Sequence, residues 1–380
     1  MKLFSRRISL TPLLAALLLV VGACSKQRES YHGVNVMSDS ELVAVYERDG
    51  YDEVFIVDRD GSEVAHYLLI DKADSIPQGI PEDATVIRTP LSNVIADSEV
   101  YASAMEELGE IEKISGVFDG AFFTSPEIAK RLKNGRIKDL GKPSSPDIEA
   151  VMALGPEAIL VSYFKGMETQ NIDKIGVPII KMFDLQESTP LARAEWIKFI
   201  GKLFGKEEAA DSIYDSVATK YNDLSANKNT KNIPPKVLVD LMYEGVWYAP
   251  GHNSYQGALI ADAGGRIFTP AENSGYTINL SPEQALLYGA DADVWLIKHY
   301  GDEASLRALL EADPVYRQLR PYNSGEIYFV DTSQSSLFRD FPFHPEKLLE
   351  DYRAIFTGDT TATLQYFKEL PFPEEKQKKR

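Results

Sequence analysis

The chain has 380 residues, 44% of them hydrophobic and 10% aromatic, with a formal net charge of -17. That composition belongs to a folded globule, and its acidity excludes nucleic-acid binding, which needs basic surface to displace counterions from phosphates. Cys24 is the single cysteine, so no disulfide joins two parts of the chain.

The first 24 residues read as an export signal. Lys2, Arg6 and Arg7 supply a positive start, Leu13–Val21 is apolar, and small residues precede Cys24. The apolar run is too short for a spanning helix, which takes about 20 residues. Cys24, directly after Val21-Gly22-Ala23, resembles the lipobox cysteine of bacterial lipoproteins. It is therefore expected to be diacylated and to anchor the chain to a membrane. Residues 25–40 are polar and unperiodic and read as a tether. The remainder is too long for one ordinary core and predicts two lobes.

Residues 41–187 form the expected first lobe. Leu42–Tyr46, Val54–Val57 and His66–Ile70 are apolar runs separated by Asp49-Gly50 and Asp60-Gly61, which predicts antiparallel hairpins that precede the main fold. Strands at Thr85–Ile87, Ile111–Phe118, Ala158–Val161 and Pro178–Met182 then alternate with helices at Glu99–Leu108 and Asp147–Leu154. Strand–helix–strand repetition predicts parallel βαβ units. Residues 188–235 are a helical connector. Ser188 or Thr189 caps it, Gly205 interrupts it, and Lys206–Ala226 carries an apolar stripe along a rod of about 30 Å. Residues 236–371 repeat the α/β alternation, with strands at Val237–Met242, Val294–Ile297 and Ile327–Val330 and helices at Pro282–Tyr288 and Ser305–Leu310. A charged tail, 372–380, follows.

Several segments resemble the ABC-importer binding proteins for ferric siderophores, haem and vitamin B12. They are Thr85-Val-Ile-Arg-Thr-Pro-Leu-Ser92, Ala104-Met-Glu-Glu-Leu-Gly109, Ile114-Ser-Gly-Val117, the Asp147–Leu160 segment and Gly176-Val-Pro-Ile-Ile180. In the second lobe, Ala261-Asp-Ala-Gly-Gly265, Leu280–Leu286 and Asp291–Leu296 are similar too. The resemblance runs from Thr85 to Phe367, and the order and spacing of the pieces carry it. It implies an α/β fold of two Rossmann-like lobes joined by a single long backbone helix, with a ligand cleft between the lobes. It also implies an iron-siderophore or other iron complex as ligand, with a corrinoid or haem as alternatives. The implied partners are an ABC permease dimer and its ATPase, and the chain would work as a monomer facing the periplasm. Ser25-Lys26 after the cysteine carries no Asp retention signal, so the inner membrane is the expected site of the anchor and the outer membrane the alternative.

In that family one glutamate on each lobe engages arginine pockets of the permease, and Glu149 and Glu283 stand at the matching positions. Two carboxylates held a fixed distance apart can pair with two guanidinium groups. Read without the resemblance, both are simply acids at helix N-termini. Ligands in such folds lie at the carboxyl ends of the strands. The candidates there are Ser92 with Asn93, Phe118, Tyr163, Lys165 and Phe183, then Trp247, Tyr248, Lys298, His299, Tyr300 and Arg339 beside Phe338. The aromatic density suits a flat or greasy chelate. Lys165, Lys298 and Arg339 would answer negative charge on a ferric complex. A packing role is the alternative for each residue taken singly.

His252, His299 and His344 show no ligand spacing, His32 falls in the tether and His66 in the hairpins, so no metal site and no resident cofactor is expected. His299 or a nearby tyrosine as a haem ligand stays open. Gly251–Gly257 lacks the spacing of a nucleophile elbow, and Ala263-Gly264-Gly265 that of a phosphate loop. No catalysis is expected. The rival classes are an enzyme and a non-transport surface lipoprotein.

Overall fold

The computed structural model describes residues 33–370, except 165, 168–171, 173–174, 228–232, 271–274 and 276. Cys24, Lys165 and the charged tail lie outside the described residues.

The Asp-Gly turns do what their spacing predicts. Val43–Arg48, Tyr51–Val57 and Glu63–Asp71 form consecutive antiparallel strands. Thr85–Thr89, expected to open the first lobe, instead pairs parallel with Glu63–Asp71 and completes this front sheet. The lobe's own first strand is the three-residue Val94–Ala96, too short to stand out as an apolar run. One face of the front sheet buries Val43, Val45, Val54, Ile56, Tyr67 and Leu69 in the same core as the first lobe. The Tyr67 hydroxyl also donates to Ile179 O (3.0 Å) and accepts from Lys181 N (2.8 Å). The front sheet thereby covers the edge strand of the lobe sheet, an edge that would otherwise offer unpaired backbone groups.

The first-lobe sheet is parallel, ordered Ile179–Met182, Ala158–Ser162, Val94–Ala96, Ile114–Val117, Lys138–Asp139. Its helices start where the sequence places them. Ser98 caps Glu99–Glu107, and Asp147 caps Ile148–Leu154. The predicted strand at Ile111–Phe118 begins as a 3-10 turn and becomes strand at Ile114.

In the connector, Thr189 is the cap and accepts from Ala192 N (3.1 Å). Helices Pro190–Ala194 and Trp196–Phe204 follow, and Gly205, at φ 66°, ends the second of them in the left-handed conformation. Helix Glu207–Ala226 then buries Ala210, Tyr214 and Val217 in the first core and Tyr221 in the second. The end of the segment read as a tether is also part of the fold. The buried Glu195 carboxylate accepts the amides of Ser38 (2.7 Å), Asp39 (2.7 Å) and Ser40 (2.8 Å), while Glu187 accepts from the Ser40 hydroxyl (2.5 Å) and from Trp196 Nε1 (2.8 Å).

The second-lobe sheet is ordered Arg266–Ile267, Lys236–Val239, Val294–His299, Ile327–Asp331, Lys368–Glu369, with the last strand antiparallel. The strand predicted over Val237–Met242 breaks at Asp240, whose φ is 60°. The chain then enters a hairpin, Met242–Tyr243 with Val246–Pro250, across a Glu244-Gly245 turn in which both residues have positive φ.

Candidate functional site

In each lobe the strand order reverses beside the first strand of its sheet, between Val94–Ala96 and Ala158–Ser162 and between Lys236–Val239 and Val294–His299. Chain leaving neighbouring strands in opposite directions opens a crevice at their carboxyl ends. Both crevices contribute to one cavity of about 270 Å3, lined by Ser98, Tyr101 and Ser162 from the first lobe, Arg193 from the connector, and Tyr255 and Lys298 from the second lobe. Leu337, Phe338 and Phe341 complete an aromatic and aliphatic wall.

The floor is polar and internally neutralised. Arg193 Nε donates to Asp184 Oδ2 (2.9 Å), and the Tyr101 hydroxyl donates to Oδ1 of the same carboxylate (2.9 Å). The Arg193 guanidinium lies 4.7 Å from the centre of the Tyr255 ring and 5.7 Å from that of Phe341. This cation is thus held by a carboxylate and two aromatic faces, which replace part of the hydration it gives up. On the opposite side Lys298 Nζ pairs with Asp240 Oδ2 at 2.8 Å, and Asp240 Oδ1 accepts from Lys298 N (3.2 Å). Beneath Ser98, Asp97 accepts from Ser162 N (2.8 Å), and its other carboxyl oxygen has no partner among the described residues. Burial raises the Asp97 pKa to about 7, against the Ser162 amide and with help from the nearby Asp184 charge. A neutral Asp97 carries its proton at little cost here.

Among the described residues predicted to contact ligand, Lys298 lines the cavity. Tyr300 does not line it; its exposed ring meets Phe122 of the first lobe edge to face, 6.4 Å between centres. His299, between these two, bonds Ser305 Oγ at 2.8 Å. Arg339 sits behind Phe338 with Nε 3.8 Å from Asp340. The others are placed elsewhere. Ser92 lies at the amino end of Val94–Ala96, where it donates to Glu157 (N, 2.7 Å; Oγ, 3.0 Å). Phe118 is fully buried in a small core behind the first sheet. Phe183 is buried in the main first-lobe core, and Tyr163 packs against that core with Lys181 Nζ 4.7 Å from its ring centre. Trp247 points inward, with Nε1 donating to Val239 O (2.8 Å), so its neighbour Tyr248 must point out.

Arg193 is the contact that sequence reasoning passed over. Its signal is a cation set between the small apolar Ala192 and Ala194 in the short helix Pro190–Ala194, all three of them buried. Ser98 had a signal too, as a helix cap directly after a strand.

Glu149 and Glu283 are both exposed, in the first turns of Ile148–Leu154 and Pro282–Gly289. Each helix leads into a parallel strand of its own sheet, so each begins at the carboxyl edge, the edge that carries the cleft. Ser281 Oγ donates to Glu283 (2.8 Å) and holds its carboxyl below the usual range, hence ionised. One turn on, Met152 and Leu287 are 64% and 73% exposed, so each acid has a bare apolar neighbour on its own helix face.

Comparison with known proteins agrees with this architecture. The family model described as "Periplasmic binding protein" matches residues 101–333. The chain belongs to that family. Its members are the ABC-importer binding proteins for siderophores, haem and vitamin B12, and they bind rather than catalyse. The chain is 26% identical over 308 residues to an uncharacterized lipoprotein of Methanocaldococcus jannaschii, covering 76% of this chain and 72% of the relative. It is 24% identical over 276 residues to the cobalamin-binding protein of Halobacterium salinarum strain R1, covering 71% and 72%. A periplasmic haem binding protein from Pseudomonas aeruginosa superposes with a TM-score of 0.59 at 17% identity, covering 74% of this chain and 99% of that one. That likeness establishes the two-lobed α/β fold.

Proposed function

We propose that the chain is a tethered receptor that captures a metal chelate of low net charge in the interlobe cleft and passes it to an ABC importer. The observation that carries the charge assignment is the pairing of Arg193 with Asp184 and Lys298 with Asp240. Every cation lining the described cleft is already neutralised, so an anionic ferric catecholate would meet little uncompensated positive charge. A corrinoid or a neutral ferric hydroxamate instead needs apolar and aromatic wall with a few hydrogen-bonding groups, which Phe338, Phe341, Tyr255, Ser98 and Ser162 supply. The cobalamin-binding protein among the relatives is in keeping with this choice. A chelate larger than the cavity sits partly in the open mouth, against Phe122 and Tyr300.

The remaining parts take their roles from this reading. Helix Glu207–Ala226 is the stiff spine between the lobes. Glu149 and Glu283 dock on the permease dimer, whose ATPase supplies the work. Cys24 anchors the monomer to the periplasmic face of the inner membrane.

Titration of the purified full-length chain with cobalamin, cobinamide, a ferric hydroxamate, a ferric catecholate and haem tests the proposal, with tryptophan fluorescence as readout. Saturable submicromolar quenching by a corrinoid or a hydroxamate is expected. Preferred binding of the catecholate would refute the charge argument, and binding of none of the five would refute the receptor assignment.

A further inference from the structure

The outer face of the front sheet carries a second cluster of polar groups, and none of them lines the cleft. Phe55 lies directly across from His66 in the antiparallel pair, with Glu53 two residues along on the same face. Glu63 and His66 are an odd number of residues apart, so a regular strand would put them on opposite faces. The pairing, however, shifts between Ile56 and Val57, so that Val64 is the extra residue of a bulge. The bulge returns Glu63 to the face of His66. Asp83 arrives from the turn before Thr85–Thr89, the strand paired beside Tyr67. One ligand atom from each of Glu63, His66 and Asp83 then lies within 4.8 Å of the others.

The imidazole is oriented from two sides. His66 Nε2 is 3.2 Å from Glu53 Oε1, and Glu53 is itself held by Arg48 at 2.6 Å. Phe55 stacks on the ring, 4.3 Å between centres and 19° between planes. The His66 side chain is only 6% exposed, yet its Nδ1 faces Asp83 at 3.9 Å, too far for a hydrogen bond. A buried ring with one nitrogen against a carboxylate and the other facing Asp83 beyond hydrogen-bond reach, with a Glu63 oxygen also near the ring, has the arrangement of a metal-ligating histidine with its orienting acid.

We propose that Glu63, His66 and Asp83 bind a divalent cation of the zinc class, with Glu53 as a positioning residue. One imidazole and two carboxylates suit Zn2+ or Co2+, with water in the remaining position. Ca2+ and Mg2+ prefer oxygen alone. The bound ion would tie the Asp83 turn to strand Glu63–Asp71.

The test is calorimetric titration of the full-length chain with Zn2+, after stripping with a chelator and in the absence of any metal chelate. Co2+ absorption provides a second readout. One equivalent is expected, with affinity lowered at least tenfold in Asp83→Asn, lost in His66→Gln, weakened about 10–100-fold in Glu53→Gln, and unchanged in His252→Gln. The Asp83 side chain is 78% exposed, so its replacement leaves the sheet intact even where His66→Gln perturbs it. No stoichiometric site in the wild type, or binding unaltered by Asp83→Asn and His66→Gln, would overturn the proposal. Neither result depends on what occupies the cleft.

Discussion

Arg193 is a charge in an aromatic floor, and it persists there because Asp184, Tyr255 and Phe341 stand in for water. Removing one partner of such a buried pair costs about 3–5 kcal/mol, because the other is left uncompensated. His344 shows the same logic between lobes. Its Nε2 lies 2.9 Å from Glu107 on the first-lobe helix, and its Nδ1 lies 3.1 Å from Glu346. Burial works against its charge, but Glu107 and Glu346 outweigh that and lift its pKa to about 9. A histidine whose folded pKa lies above its unfolded value of about 6.5 contributes stability that is fully present below pH 6.5 and lost as pH rises through 9. His344→Gln is therefore expected to lower unfolding free energy by about 1–2 kcal/mol at pH 6, with the gap closing by pH 10. Urea unfolding at the two pH values checks this, and a gap that does not narrow removes the ionic explanation.

At the scale of elements, the proposed docking on the permease rests on two short helices. Ile148–Leu154 and Pro282–Gly289 each present an exposed glutamate and, a turn later, an exposed apolar side chain. An acid beside bare apolar surface is the composition of a docking contact, in which the charge fixes register and the apolar group adds burial. Charge reversal at both Glu149 and Glu283 is expected to abolish uptake while chelate affinity stays intact. Replacing Met152 and Leu287 with serine should reduce uptake several-fold, again with affinity unchanged. Vesicle uptake assays paired with the fluorescence titration separate these outcomes, and normal uptake by the double glutamate variant would sink the docking roles. The front sheet has a structural task alongside its proposed metal site: it covers the Ile179–Met182 edge through Tyr67 and shares the first-lobe core.

For the whole molecule, several buried contacts join the two lobes, and one ring pair joins them at the surface. Helix Glu207–Ala226 is buried in both cores, His344 bridges to Glu107, and Arg193 lies between Asp184 and Tyr255. At the surface the exposed Phe122 and Tyr300 rings meet edge to face. On the proposed reading of helix Glu207–Ala226 as a stiff spine, wide opening of the lobes is not expected. Ligand binding is expected to move the lobes by shifts of about 1–2 Å, of the shear kind, rather than by a large rotation. Spin labels on exposed positions of the two lobes measure the distance directly. A change many times larger on adding chelate would contradict the rigid-spine reading.

Much of this organisation was legible from periodicity. Asp-Gly turns marked the front hairpins, the Ser188-Thr189 pair before Pro190 marked the start of the connector, and the stripe through Ala210, Val217 and Tyr221 marked the long helix. These signals are local, set by backbone preference and by which side of an element is apolar. The ligand contacts were read less well, for reasons equally physical. Ser92 was placed at a strand's carboxyl end because Thr85–Thr89 looked like the lobe's first strand, and only sheet pairing assigns it to the front sheet. Phe118 directly follows a strand and Trp247 lies within one, and the alternation of sides along the chain turned both into the core. Arg193, Tyr255 and Tyr101 meet across three separate segments, and Glu63 joins His66 only through a bulge. The sequence by itself determined the elements, the two lobes and the acidic helix starts. Which side chains face one another in the cleft was decided by tertiary structure, because such pairs depend on register and on contacts between distant segments that no local pattern encodes.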